Sequence, residues 1–193
     1  MKQLTRDDLF SLEKYAAIKT DFRARVMEHK KHRRVPVGDH AALYFEDALT
    51  MQYQVQEMLR LERMFEPEAI QEELDVYNPL IPGGSNWKAT FMLEYDDVEE
   101  RKKALARLMG IENNVWVKVG NFDKVFAIAN EDLDRTEPDK TSAVHFMRFE
   151  LTPEMVAAAK NGAAIKAGID HPAYRGETAL PDDKRDSLAA DLQ

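Results

Sequence analysis

At 193 residues, with 44% hydrophobic and 32% charged side chains, the chain has the makeup of an ordinary globular protein that can bury a core without covalent staples. Its lack of cysteine excludes disulfides, a thiol nucleophile and a self-contained iron–sulfur cluster, and it suits a reducing cytoplasm. The net charge of −8 is unevenly spread: residues 1–34 hold 10 Lys and Arg against 5 Asp and Glu, and the remainder holds 17 against 30.

The opening MKQLTRDDLF lacks the apolar stretch of a signal peptide, and no apolar run approaches the roughly 18 residues of a membrane span. The expected location is cytoplasmic, without membrane contact. Thr5 and Asp8 have capping-box spacing, so a first helix starts there, breaks near Ser11 and runs to about Lys31. Val35–Val37 and Ala41–Phe45 flank Gly38-Asp39-His40 as a short hairpin, with Pro36 confining its strand to an edge. Asp47 to Phe65 reads as a long amphipathic helix, and Pro67 opens another over Glu68–Asp75. Asn78 to Asn86, with two prolines and two glycines, is a loop.

Beyond that loop the period switches to two. Trp87, Ala89, Phe91, Leu93 and Tyr95 alternate with Lys88, Thr90, Met92 and Glu94, the pattern of a strand with one buried face. A helix over Val98–Met109 ends at Gly110. Val115–Val119 and Phe122–Ala129 form a hairpin around Gly120-Asn121, residues 131–140 a polar loop, and Ser142–Leu151 a further strand. Thr152-Pro153 starts a short helix, Ala163–Ile169 is a last strand, and Asp182–Leu192 a terminal helix. The expected architecture is α+β: a single domain over 1–193, helical over about 1–77 and sheet-rich over about 87–193. A mainly antiparallel sheet would pack against a long central helix and the N-terminal helices.

Candidate sites concentrate on the helix 47–65. At 100° per residue, Met51, Val55, Met58, Leu59, Leu61 and Phe65 gather on one side, with Glu62 near its middle and Gln54 beside it. A carboxylate so placed needs a partner, an altered pKa or an escape at the helix end. Glu57 and Arg60 fall on the opposite side, near Tyr53 and Met64. The basic run Lys30, Lys31, Arg33 and Arg34 either meets the acidic body of the protein or contacts an external anion. That acidic body argues against nucleic acid, whose binding rests on phosphate neutralisation. His29 and His32 have metal-like spacing but sit among cations, and no Glu-x-x-His occurs, so no metal site is expected. His145 alternates with apolar residues and reads as a core histidine. His171 and Tyr174 lie in what reads as a loop just after a strand, where functional side chains concentrate. Neither a phosphate loop nor a nucleophile elbow is present.

Tyr44-Phe45-Glu46-Asp47, Thr50, Tyr53 to Arg60 and Glu62 form a distinctive block. With Arg33-Arg34-Val35, Tyr77 to Pro82, Asp170-His171-Pro172, Tyr174 and Leu188–Leu192, it resembles the bacterial domain-of-unknown-function family DUF3501 over nearly the whole chain. The resemblance implies genes near those of rubrerythrin-like proteins and an iron–sulfur oxidoreductase, hence an accessory or interaction protein serving a redox, peroxide-defence or iron-linked system. It implies a protein partner or homo-oligomer, names no cofactor, and leaves enzymatic activity undecided. It picks out Glu46, Gln54, Glu57, Arg60 and Glu62, with His171 and Tyr174 as a second group. The alternative is a small-ligand or metal-binding protein, conceivably an enzyme, with its site on the helix 47–65.

Overall fold

Two antiparallel sheets share one strand segment and enclose the main core. The computed structural model describes residues 2–131 and 137–193, so part of the loop expected over 131–140 lies outside the described residues. In chain order the strands are β1 Arg34–Val37, β2 Ala41–Glu46, β3 Asn86–Leu93, β4 Val115–Val119, β5 Val125–Phe126, β6 Ile128–Ala129, β7 Val144–Glu150, β8 Ile165–His171 and β9 Tyr174–Ala179. One sheet has the order β1-β2-β3-β7-β6 and the other β5-β4-β8-β9. The segment 125–129 bends at Ala127, so that β5 pairs with β4 in one sheet and β6 with β7 in the other. The Ala127 amide still donates to Val115 O (2.8 Å) and the Asn130 amide to Phe146 O (3.0 Å). At the opposite edge β9 is tied to the β1–β2 hairpin: Tyr174 Oη donates to Val37 O at 2.7 Å and accepts from the His40 amide at 3.1 Å.

Alternation then fills the space between the sheets. Val35, Val37, Leu43, Phe45, Trp87, Phe91, Met147 and Phe149 from one sheet meet Val115, Val117, Val119, Ile165, Ala167 and Ile169 from the other. Burial of this size is the dominant favourable contribution to folding. Around it pack α4 Val98–Arg107, α5 Pro153–Lys160 and α6 Asp182–Ala189. Thr152 caps α5 through its hydroxyl, with Pro153 at the first helical position, as the sequence predicts.

The N-terminal helices α1 Leu12–Lys31, α2 Ala48–Glu62 and α3 Pro67–Tyr77 form a separate layer. It has its own apolar clusters, one around Tyr15, Phe22 and Val26 and another around Val55, Leu59 and Leu74. The expected α+β class with antiparallel sheets is present. The expected long central helix is not: α2 is one of three helices, shorter than α1, and contributes nothing to the main core cluster.

Three local differences have physical causes. The β4–β5 connection is longer than a two-residue turn, because Gly120 (φ +49°) starts a loop that returns to pairing only at Val125. A ninth strand appears at Tyr174–Ala179, where YRGETA has no apolar alternation because β9 is an edge strand. The stretch read as a loop at 170–174 is therefore a hairpin turn, with His171 closing β8 opposite Tyr174.

Candidate functional site

Helix α2 is walled on three sides, which explains where its polar residues go. Towards α1, Glu57 accepts from Tyr15 Oη (2.7 Å), Lys19 Nζ (3.1 Å), and Arg60 Nε and Nη2 (3.3 and 3.2 Å). Burial by itself would raise this carboxyl, but the Arg60, Tyr15 and Lys19 donors prevail and hold it down to about 2. Towards α3, Val55 and Leu59 are buried. Towards the N-terminal segment, Gln56, which is fully buried, accepts from the Phe10 amide (2.5 Å) and donates to Phe10 O (3.3 Å), while Gln52 donates to Asp8 O (2.6 Å).

The buried glutamine is therefore Gln56, not Gln54, which is only half-buried. Glu62 is exposed at the last position of the helix, where Arg63 caps it in the left-handed conformation (φ 53°). Both placements correct the expected pairing of Gln54 and Glu62 across one buried face. The projection assumed a single apolar partner, whereas α2 packs against three. Glu57 and Arg60 come together, but as a clasp between α1 and α2.

Because Glu57 ionises more readily folded than unfolded, it contributes stability above its ordinary range near 4.5 that is lost as pH falls towards 2. Glu57→Gln should cost about 1–2 kcal/mol at neutral pH after allowance for partial exposure, with the gap to wild type closing below about pH 4 in urea melts. A constant gap down to pH 2.5 would contradict this account.

The basic run also turns inward. Arg33 is 2% exposed. It donates to Phe45 O (2.9 Å), Glu46 O (3.1 Å), Ser187 Oγ (3.2 Å) and both Asp191 oxygens (3.3 and 2.5 Å), and lies 3.4 Å from Asp47. His29 closes on Asp47 at 2.5 Å and His32 on Asp183 at 2.8 Å. Arg34 pairs with Glu94 and Tyr44, Lys31 with Glu28, and Lys30 lies over the Tyr53 ring. Each of Lys30, Lys31, Arg33 and Arg34 thus meets an acid or a ring of the protein itself, the first of the two readings of the basic run. His171 donates from Nε2 to Met109 O (3.0 Å), and its Nδ1 accepts from the Ala173 amide (3.2 Å), so it closes the turn. Tyr174 is the strap between sheets described above. His145 is a satisfied core histidine, bonded to Thr141, Ser142 O and Asn130.

One expected residue leads to an open site. Glu46, 8% exposed at the end of β2, accepts from Thr50 Oγ1 (2.7 Å) and Thr90 Oγ1 (2.8 Å). Thr90 belongs to the face of β3 turned away from the core, together with Lys88 and Met92. In register, Glu46, Lys88 and Arg148 form one row across β2, β3 and β7. Over this row runs the turn of 3₁₀ helix Asn78–Leu80, leaving a cleft of about 270 Å³ lined by Pro79, Leu80, Lys88, Glu131, Phe146, Met147 and Arg148.

Within the cleft the two cations differ. Arg148 is gripped by Glu131 through Nε and Nη2 (2.9 and 2.8 Å) and by Glu150 through Nη1 (2.6 Å), which raises its pKa. The Lys88 ammonium has neither a hydrogen bond nor an ion pair among the described residues, and burial lowers its pKa. Neither Lys88 nor Arg148 stood out in the sequence. Lys88 reads there as the solvent side of a half-buried strand. The signal that could have flagged it is the Pro79-Leu80-Ile81-Pro82 segment leading directly into that strand. Among the described residues no group of three His, Cys, Asp or Glu could hold a metal ion, and no helix is long and apolar enough to cross a membrane.

No curated protein matches the chain. A crystal structure of a novel protein of unknown function from Burkholderia pseudomallei K96243 is 49% identical, with a TM-score of 0.94 and full coverage of both chains. The family model described as protein of unknown function (DUF3501) matches residues 3–192, and the chain belongs to that family.

Proposed function

We propose that the chain is a small-ligand-binding protein whose site is the cleft over Lys88, and that it takes a small organic anion with an apolar part. The observation that carries this reading is the contrast between two neighbouring cations. Arg148 is fully engaged by Glu131 and Glu150, whereas Lys88 faces the same cleft without a carboxylate in ion-pair range among the described residues. A half-buried ammonium without an anion is costly, so an incoming carboxylate would gain a charge-assisted bond while Pro79, Leu80 and Phe146 cover its hydrocarbon. The ligand-binding alternative drawn from the sequence thus moves from α2 to the sheet, with Glu46 and Thr90 as the polar floor beside it.

The test is calorimetry or NMR titration with short-chain carboxylates such as butyrate. Lys88→Met should weaken binding about 10-fold or more, the equivalent of one charge-assisted hydrogen bond, without unfolding the protein. Unchanged affinity in that variant, or no binding by wild type, overturns the reading.

A second reading, an accessory protein for a redox or iron-linked partner, is favoured by Leu61 and Phe65. They are 60% and 67% exposed at the end of α2 and just beyond it. It predicts that an iron-linked partner co-purifies with wild type and is lost with Leu61→Asp/Phe65→Asp. Equal recovery with both proteins overturns it.

A further inference from the structure

We infer that Lys88 is an imine-forming amine, and that the ligand class of its cleft is a small aldehyde or 2-oxo acid held through a reversible covalent bond. This rests on the ligand reading of the same cleft and goes beyond it.

The geometry separates Lys88 from the protein's other lysines. Lys2, Lys19, Lys31, Lys102, Lys124, Lys140 and Lys166 each meet a carboxylate. Lys184 donates to Arg34 O, and Lys14 and Lys30 lie over aromatic rings. Lys103 and Lys160 are exposed to water, and Lys118, half-buried on β4, stands opposite another lysine, Lys166. Lys88 combines partial burial, an apolar wall and an adjacent guanidinium held in place by two carboxylates.

Among the described residues the charged groups around it are Glu131, Glu150, Arg148 and, opposite it on β2, Glu46, which accepts from Thr50 and Thr90. Burial and the Arg148 charge favour the neutral amine, while Glu131 and Glu150 favour the ammonium but are spent on Arg148. That is the environment in which a lysine becomes a nucleophile. The central strand β3, paired on both sides, fixes the backbone beneath it.

The step balances without any redox partner. The Nζ lone pair attacks the carbonyl carbon, and the carbon–oxygen π bond opens to an alkoxide that takes a proton from water at the rim. The nitrogen gives up both its protons, one restoring that water and the other passing through solvent to the hydroxyl, which leaves as water and gives a C=N bond. Hydrolysis reverses every step.

The experiment treats the intact protein with glyoxylate or butanal and cyanoborohydride, followed by peptide mass mapping. The expected result is reductive alkylation of Lys88 at least 10-fold faster than of Lys103 or Lys160. Lys88→Arg should lose labelling at that position alone while keeping the wild-type melting temperature. Labelling of Lys88 no faster than of the exposed lysines overturns the inference. Butyrate, which has no reactive carbonyl, separates the two claims. If butyrate perturbs Lys88 and Phe146 resonances but the carbonyl probes leave no adduct there, the imine fails and the ligand site stands. If neither binds, both fail.

Discussion

Replacing Arg33 with methionine should cost about 3–5 kcal/mol of folding stability, the usual penalty for stranding a buried charge. Arg33 sits where the β2–α2 junction, the end of α1 and the C-terminal helix α6 meet. Its guanidinium spans Phe45 O, Glu46 O, Ser187 and Asp191 at once and lies against Asp47. Methionine would fill much of the volume but leave the Phe45, Glu46 and Ser187 carbonyls and the Asp191 carboxylate without this donor, and Asp47 without its guanidinium.

The pH dependence of this loss has a sign. Burial lifts Asp191 to about 6 from an ordinary value of 3.8 even with Arg33 beside it, so this group's stabilising contribution is complete below the ordinary value and is lost as pH rises through 6. Asp47 behaves oppositely. Burial would raise it, but Arg33, the Thr50 amide and His29 hold it below the ordinary aspartate range, so its contribution is lost towards acid. Without Arg33 both carboxyls move up. The variant's deficit should therefore be largest at pH 7–8 and shrink towards pH 4, where protonation removes the stranded charges. Urea unfolding at those two pH values tests this. Arg33→Lys, which keeps the charge but not the planar fork, should fall between wild type and Arg33→Met. A deficit under about 1 kcal/mol at pH 8 would mean that the cluster is not what fastens α6.

What the sequence disclosed and what it hid divide along contact range. Helix caps, the proline at the start of α3 and the alternation in β3 are local patterns. Ser11, Asp47, Asp97 and Thr152 cap their helices as short-range signals do. The antiparallel α+β class followed from them. The faces of α2 did not, because a hydrophobic projection presumes one neighbour and α2 has three. Gln56 is buried because the Phe10 backbone, 46 residues away, comes to meet it. Arg33 belonged to a run of cations in sequence but lies beside Asp191, 158 residues on. Lys88 looked like a solvated strand residue because the roof over it, Pro79 and Leu80, contributes no periodicity. His171 and Tyr174 were noticed as a group and do face one another, yet a hairpin turn accounts for their positions.

Gly168→Ala should cost about 3 kcal/mol, at the upper end of what overpacking usually does. Gly168 pairs with Trp116 across β4 and β8, and the indole occupies the space a side chain at 168 would need. A Cβ there would sit 2.2 Å from Trp116 Cζ2 and 2.5 Å from Cε2. The backbone is in a strand ladder and cannot retreat without losing hydrogen bonds, so the ring must leave. It has little room to do so, being 1% exposed with Lys124 Nζ 4.1 Å from its centroid and fastened to Asp170 at 2.7 Å. Displacing the indole would therefore break that surface pair and wet an apolar area of aromatic size. A double-mutant cycle isolates the cause. Gly168→Ala should cost less than about 1 kcal/mol in a Trp116→Val background, because the added methyl then occupies space the indole has vacated. Equal costs in both backgrounds would show that glycine is required for the strand itself and not for the tryptophan above it.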